Sequence, residues 1–362
     1  MNLADTLVYA DIRQLHQLAS ACGLTCNRHS KHELIQSLHR QLTSAAFCQD
    51  VHGSLVWEEK RFLLSLIFER RKEYSYEALL SRARKSFKEE IRSGEHEKLL
   101  NRMLVNGWLF RLQRSYAIMY VMPDDLRIKW QEIFVKEVKD AAYGNYTKPA
   151  LYRDDTHVMV YDLQQLLGYV QKHKVPLSKE GVMHRKQQQK VLELMAVCEN
   201  LVESKEWRFG YGRRFRSYPD RLALLYDFAY HHRWLTEDEN VLTLTEMGVE
   251  QIQKGLREEV AEQLVAFWLL SYRKAIPVIE SLWRFIAAVC DEAWMEEASL
   301  ILALQDWIRP FYYDTEKEVI RRRLLSMMVH LGILQRGVIA ESSIVYTVTN
   351  WGKSLVNNTP KL

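Results

Sequence analysis

The stretch Trp234–Gly248, WLTEDENVLTLTEMG, decides how this chain folds. Two short apolar runs, Trp234-Leu235 and Val241–Leu244, flank the polar run 236–240, the pattern of two strands joined by a turn. Thr245 follows at once, with Gly248 three residues on, so the threonine hydroxyl can cap a helix that begins where the second strand stops. Upstream, FAYHHR closes a helical pattern. The order is helix end, strand, turn, strand, capped helix.

The same order returns in two other places. Met327–Val356 sets Ile333-Leu334 and Val345–Val348 around a polar turn, then repeats the threonine and glycine as Thr349 and Gly352. Met103–Leu126 carries Trp108-Leu109 and Tyr116–Val121. One copy is weak evidence, whereas three in one chain read as a repeat. Helical patterns precede the hairpins: 57–70 with Phe62, Leu63, Leu66 and Ile67, then one opened by Ser75, then 97–106, and in the last copy 301–309 and 315–331. Two helices followed by helix, strand, turn, strand resemble the winged-helix plan, and LTEMG and VTNWG closing a hairpin look like many winged-helix domains.

The N-terminal pattern IRQLHQLASACGL…SKHELIQSLHRQL, within residues 12–42, resembles the SAP and Rho N-terminal helical hairpins. Asp11 caps the first helix and Ser30-Lys-His-Glu33 forms a capping box for the second. Families with that hairpin commonly bind DNA or RNA. The run Asp162–Met195, with VPLSKEGVMHRK at its centre, is similar to the N-terminal region of XPB/Ssl2-type helicases and their stand-alone bacterial relatives. That resemblance implies a DNA-repair or transcription setting. It carries over no catalytic residue, because helicase motifs are absent.

The fold class expected is therefore mainly α with small β hairpins: an N-terminal helical hairpin followed by about three winged-helix-like units. The boundaries expected are 1–48 for the hairpin, 52–130 for the first winged unit, 156–256 for a central basic unit and 257–362 for a C-terminal helical and winged-helix-like unit. At 362 residues the chain has room for this number of domains. It has no apolar signal core at its start and no run long enough to span a bilayer. Five cysteines at scattered spacings fit reduced thiols in a cytoplasmic protein.

The formal charge of +4 names no partner, so its distribution matters more. Trp207–Arg221, WRFGYGRRFRSYPDR, holds five arginines and five aromatic residues. Arginine forks grip phosphate and stack on bases, and rings offer platforms for unpaired bases. This reading nominates Arg208, Arg213, Arg214 and Arg216 with Tyr211 and Phe215. The alternatives are a partner-binding patch and a cation–π cluster closing a loop on the core. A second basic run, KHKVPLSKEGVMHRKQQQK, nominates Lys179, Arg185, Lys186 and Lys190, with Lys172, Lys174 and the base-reading amides Gln187, Gln188 and Gln189 beside them. Arg321 and Arg322 complete the set, on the would-be recognition helix of the last unit.

Other chemistry is not supported. Cys22, Cys26, His29 and His32 match no zinc-finger spacing. Gly352-Lys353-Ser354 lacks the leading glycine of a phosphate loop. No nucleophile sits with a base, and no metal or cofactor is expected. The function expected is non-catalytic nucleic-acid binding, with DNA (duplex, single-stranded or forked) as partner, by an accessory or regulatory protein. The alternative is a protein-interaction scaffold or adaptor, for example a helicase partner. Arg213, Arg214, Arg216, Lys179 and Lys186 sharing one exposed face would favour the first; arginines paired with acids or buried over rings would favour the second.

Overall fold

The computed structural model describes residues 1–24, 30–88, 94–113, 117–142, 144–145, 147–203, 208, 210–339 and 343–358. All three hairpins form. The first pairs Phe110–Gln113 with Ile118–Val121, the central one Leu235–Asp238 with Val241–Leu244, and the last Leu334–Val338 with Ile344–Val348. In each copy the later hairpin strand also pairs, antiparallel, with a short strand from further upstream: Glu73–Tyr74, Val175–Pro176 or Trp294–Glu296.

The helices fall in winged-helix order. They are Trp57–Ile67, Tyr76–Ser86 and Glu95–Val105 in the first copy, then Val158–Lys172, Arg185–Leu194 and Asp220–His231 in the central one. The last copy has Ile279–Val289, Glu297–Leu304 and a third helix built from Glu316–Glu318, a π-helical turn Val319–Leu325 and Ser326–His330. The fold is mainly α with small β hairpins, a helical hairpin followed by three winged-helix-like units.

The threonine and glycine shared by the last two copies have one physical cause. The Thr245 amide donates to Trp234 O (3.1 Å), its hydroxyl donates to Arg233 O (2.5 Å), and the hydroxyl accepts from the Gly248 amide (3.1 Å). Thr349 repeats this on Ile333 O (3.0 Å), Gly332 O (2.7 Å) and the Gly352 amide (2.8 Å). The residue caps its helix and ties it to the start of the earlier hairpin strand. That closeness demands glycine: a Cβ at Gly248 would lie 2.2 Å from Trp234 O, and one at Gly352 2.3 Å from Ile333 O. The first copy closes differently, running through Pro123 into the long helix Asp124–Ala141.

The chain forms two compact units. The first comprises residues 1–141 and 280–285. Its N-terminal hairpin is Ile12–Ala21 and Lys31–Thr43, with Asp11 accepting from the Gln14 amide and Ser30 from that of Glu33, as the capping pattern predicts. Leu15, Leu18, Leu34, Leu38 and Leu42 are buried. Two further helices, Leu3–Tyr9 and Ala45–Ser54, extend the hairpin at either end. Gly107, at φ +73°, lets the first winged unit approach it: a Cβ there would meet Leu18 Cδ2 at 2.8 Å.

The second unit holds the central winged copy and the last one apart from residues 280–285 of its first helix. Gly144–Asn145 pairs with Trp294–Glu296, and Leu151–Arg153 with Leu334–Val338, so the last sheet grows to five strands. In the central copy, nine consecutive residues of the recognition-position helix, Arg221–Ala229, are buried. A groove-reading helix needs an open face, and this one is enclosed.

Candidate nucleic-acid interface

Most of the arginine-aromatic segment turns inward. Trp207 and Phe209 lie outside the described residues. Tyr211 and Phe215 are 3% and 2% exposed, and Tyr211 packs at a tilt against Tyr272 and edge-on against Phe311. Arg208 is buried with its guanidinium 4.2 Å from the Phe215 ring centroid, donating to Tyr218 O at 2.9 Å and paired with Asp220. Arg214, also buried, donates to Glu180 O (2.8 Å) and Glu237 Oε2 (2.7 Å). Arg213 is exposed, yet it grips Glu237 with both arms (2.5 and 2.6 Å) and lies 4.1 Å over Tyr230. Burial pushes the Glu237 carboxyl up, but hydrogen bonds from Arg213, Arg214 and Tyr226 outweigh it and hold it down at about 2.

Arg208, Arg214, Tyr211 and Phe215 are therefore packing residues, a correction to their nomination as contacts. Water has already been replaced around them by carboxylates, carbonyls and rings, leaving no face for phosphate or a base. Arg216 is exposed.

Beneath this loop the cluster continues. Asp220 joins Arg208 to Arg323, whose Nη1 lies 2.8 Å away and whose Nε binds Asp314 at 2.8 Å. Arg221, with no solvent exposure, meets Asp162 (2.6 Å), Asp155 (3.5 Å) and the carbonyl of His330 (3.1 Å). Burial pushes the Asp155 carboxyl up, but His330, Arg153 and Arg221 bring it to about 2. Burial pushes the His330 imidazole below its usual range, with Arg221 and Arg153 adding to it. The recognition-position helices of the central and last copies are thus held together by ions. Nothing in the local sequence announced Asp155, Asp162 and Asp314 as partners.

The second basic run is arranged differently. Lys172, Lys174, Lys179, Lys186 and Lys190 are all exposed and, among the described residues, carry no ion pair or hydrogen bond. Lys186 and Lys190 lie one turn apart on Arg185–Leu194 and share a helix face. Arg185 is exposed and donates to Val202 O at 2.9 Å. Of the three glutamines, Gln187 accepts from Tyr169 OH and Gln188 is buried on Met183 O (2.8 Å), so only Gln189 faces solvent. In the last copy Arg321 is paired with Glu297 (2.8 Å) and Arg322 is exposed.

A cavity of about 630 Å³ in the second unit lies beside the central helix and is lined by Asp227, Tyr230, His231, Arg233 and Phe267 among others. Burial pushes Asp227 up to about 6 against the pull of the Arg214 and Arg213 amides. Among the described residues no group of three or more His, Cys, Asp or Glu side chains could hold a metal ion, and Cys26 and His29 lie outside them. Among the same residues no helix is long and apolar enough to cross a membrane. No protein-family model matches this chain, and no curated protein matches it significantly.

Proposed function

We propose that this protein binds nucleic acid by its backbone, using the lysine face of the central winged unit rather than an inserted recognition helix. The observation that carries the reading is the set of five exposed, unpaired lysines between 172 and 190, whereas Arg208, Arg213, Arg214 and Arg221 of the neighbouring basic segment are taken up by the protein's own acids. Lysines free of internal partners are available to displace phosphate counterions, which gives sequence-tolerant, salt-sensitive binding. The enclosed central helix and the acidic turn Glu237-Asp238-Glu239 argue against groove reading by this copy. The role that follows is non-catalytic and accessory.

The test is fluorescence anisotropy of labelled duplex across a salt series, with wild type beside Lys179→Glu/Lys186→Glu/Lys190→Glu. The expected result is weaker binding to every sequence and a salt slope reduced by roughly one per lysine that touches phosphate. Equal affinity of the variant and wild type at low salt would overturn it. A second reading, a protein-interaction adaptor, draws on two observations: the arginines of 208–221 are largely paired with acids or packed over rings, the outcome expected of it, and the central recognition-position helix already serves to hold another winged copy.

A further inference from the structure

The first unit contains a cleft that differs from everything above. It measures about 530 Å³, within the ~300–1,000 Å³ of small-ligand pockets. Its walls are the hairpin helix Ile12–Ala21, the recognition-position helix Glu95–Val105 and the hairpin strands Phe110–Gln113 and Ile118–Val121. This helix is the open one of its kind. Only Leu99, Leu100 and Met103 of its eleven residues are buried, against nine of twelve in the central copy.

Four of the groups facing the cleft are polar and unspent, beside Asp11, which caps its own helix. Arg13, Gln17, Asn101 and Arg111 carry no side-chain hydrogen bond or ion pair among the described residues. Arg13 and Gln17 are one turn apart on one helix, and Asn101 and Val105 are one turn apart on the other. At the mouth Tyr9 is 78% exposed, and Val105 (48%) and Ile118 (52%) give apolar contact. Two guanidinium forks suit phosphates, two carboxamides each offer a donor and an acceptor to a base edge, and a bare phenol ring suits stacking. Isolated polar surface would not collect this set between three elements.

The width of the site selects the strand type. A major groove about 12 Å wide admits one helix, and here the hairpin helix packs beside the recognition-position helix, blocking its entry. A single strand needs only a slot, with bases splayed against one wall. Resting on the nucleic-acid reading above, we infer that this cleft holds unpaired nucleotides of single-stranded nucleic acid, while the lysine face supplies strand-independent attraction.

The experiment compares a short labelled single strand with a duplex of equal length. The proteins are wild type, Tyr9→Ala/Asn101→Ala, Arg111→Ala and the triple lysine variant, each checked by thermal melting. The cleft variants are expected to lose about tenfold or more in single-strand affinity while duplex affinity stays unchanged. The lysine variant should weaken both. A single strand carrying 5-iodouracil should crosslink on irradiation, with the adduct mapped to Tyr9 by mass spectrometry, a readout independent of any substitution. Cleft variants that bind single strands like wild type, or a crosslink that maps elsewhere, would overturn the cleft and leave the lysine reading standing. Loss confined to the cleft variants, with the lysine variant unaffected, would do the reverse. Binding of neither strand by wild type would overturn both.

Discussion

Arg221 and Asp162 form an ion pair, Nη2 to Oδ2 at 2.6 Å, in which neither side chain has any solvent exposure. Asp162 belongs to the first helix of the central winged copy, and its other oxygen accepts from the Ala196 amide at 2.7 Å. The Arg221 guanidinium continues to the His330 carbonyl in the last copy. One arginine therefore fixes three segments, and the energetics of a buried charge apply to it in full.

Removing one partner should be worse than removing both. Asp162→Ala leaves a guanidinium buried without its main counter-ion and should cost about 3–5 kcal/mol. Asp162→Leu/Arg221→Met replaces the pair with apolar volume and should cost less than either single change. Urea unfolding of the variants checks the order. A double variant as unstable as the sum of the singles would contradict it.

The repeated glycines give a second contrast. Gly248→Ala and Gly352→Ala each place a Cβ against a backbone carbonyl and should destabilise by about 2 kcal/mol or more. Gly168→Ala, inside the helix Val158–Lys172 with nothing within 4 Å of the new Cβ, should stabilise by about 0.5–1 kcal/mol. Thermal melts of the three variants decide it.

Asp227 sets a pH dependence of known sign. Its folded value is about 6 against an ordinary 3.8, because burial favours the neutral acid. The native state therefore holds a proton that the unfolded chain has released. This contribution is fully present below about pH 3.8 and is lost as pH rises through 6. Asp227→Asn should flatten the change in stability over that window, measured by urea unfolding at several pH values. Asp155, at about 2, acts oppositely: its contribution is present above 3.8 and disappears as pH falls through 2.

Arg213→Ala/Arg214→Ala should act on stability before it acts on binding. Both arginines hold Glu237, and Arg214 also ties down the Glu180 carbonyl, so their loss strands a carboxylate and frees the loop. The expected outcome is a lowered melting temperature with nucleic-acid affinity at low temperature close to wild type. A selective loss of affinity in a fully stable variant would return this segment to the contact surface.

The repeat was legible because its constraints are local. Thr245 and Gly248 lie three residues apart, and so do Thr349 and Gly352, so the cap and the close approach are written in a short window. Asp11 and Ser30 were legible for the same reason. The flanking strands 144–145 and 151–153 were not: two or three residues carry no periodicity, and their partners lie far along the chain.

The sequence by itself determined the capped N-terminal helices, the helices leading into each hairpin, the three hairpins and the places where positive charge collects, because propensity, capping and spacing act over a few residues. Only the tertiary structure decided which charges remain available. Arg213 meets an acid 24 residues away, Arg221 one 59 away and Arg323 one 103 away, and no window of sequence holds both partners. The lysines of 172–190 meet none among the described residues, and the cleft beside Asn101 exists only because a distant hairpin packs there. Charge is a local property, whereas its neutralisation depends on what the fold brings within a few ångströms.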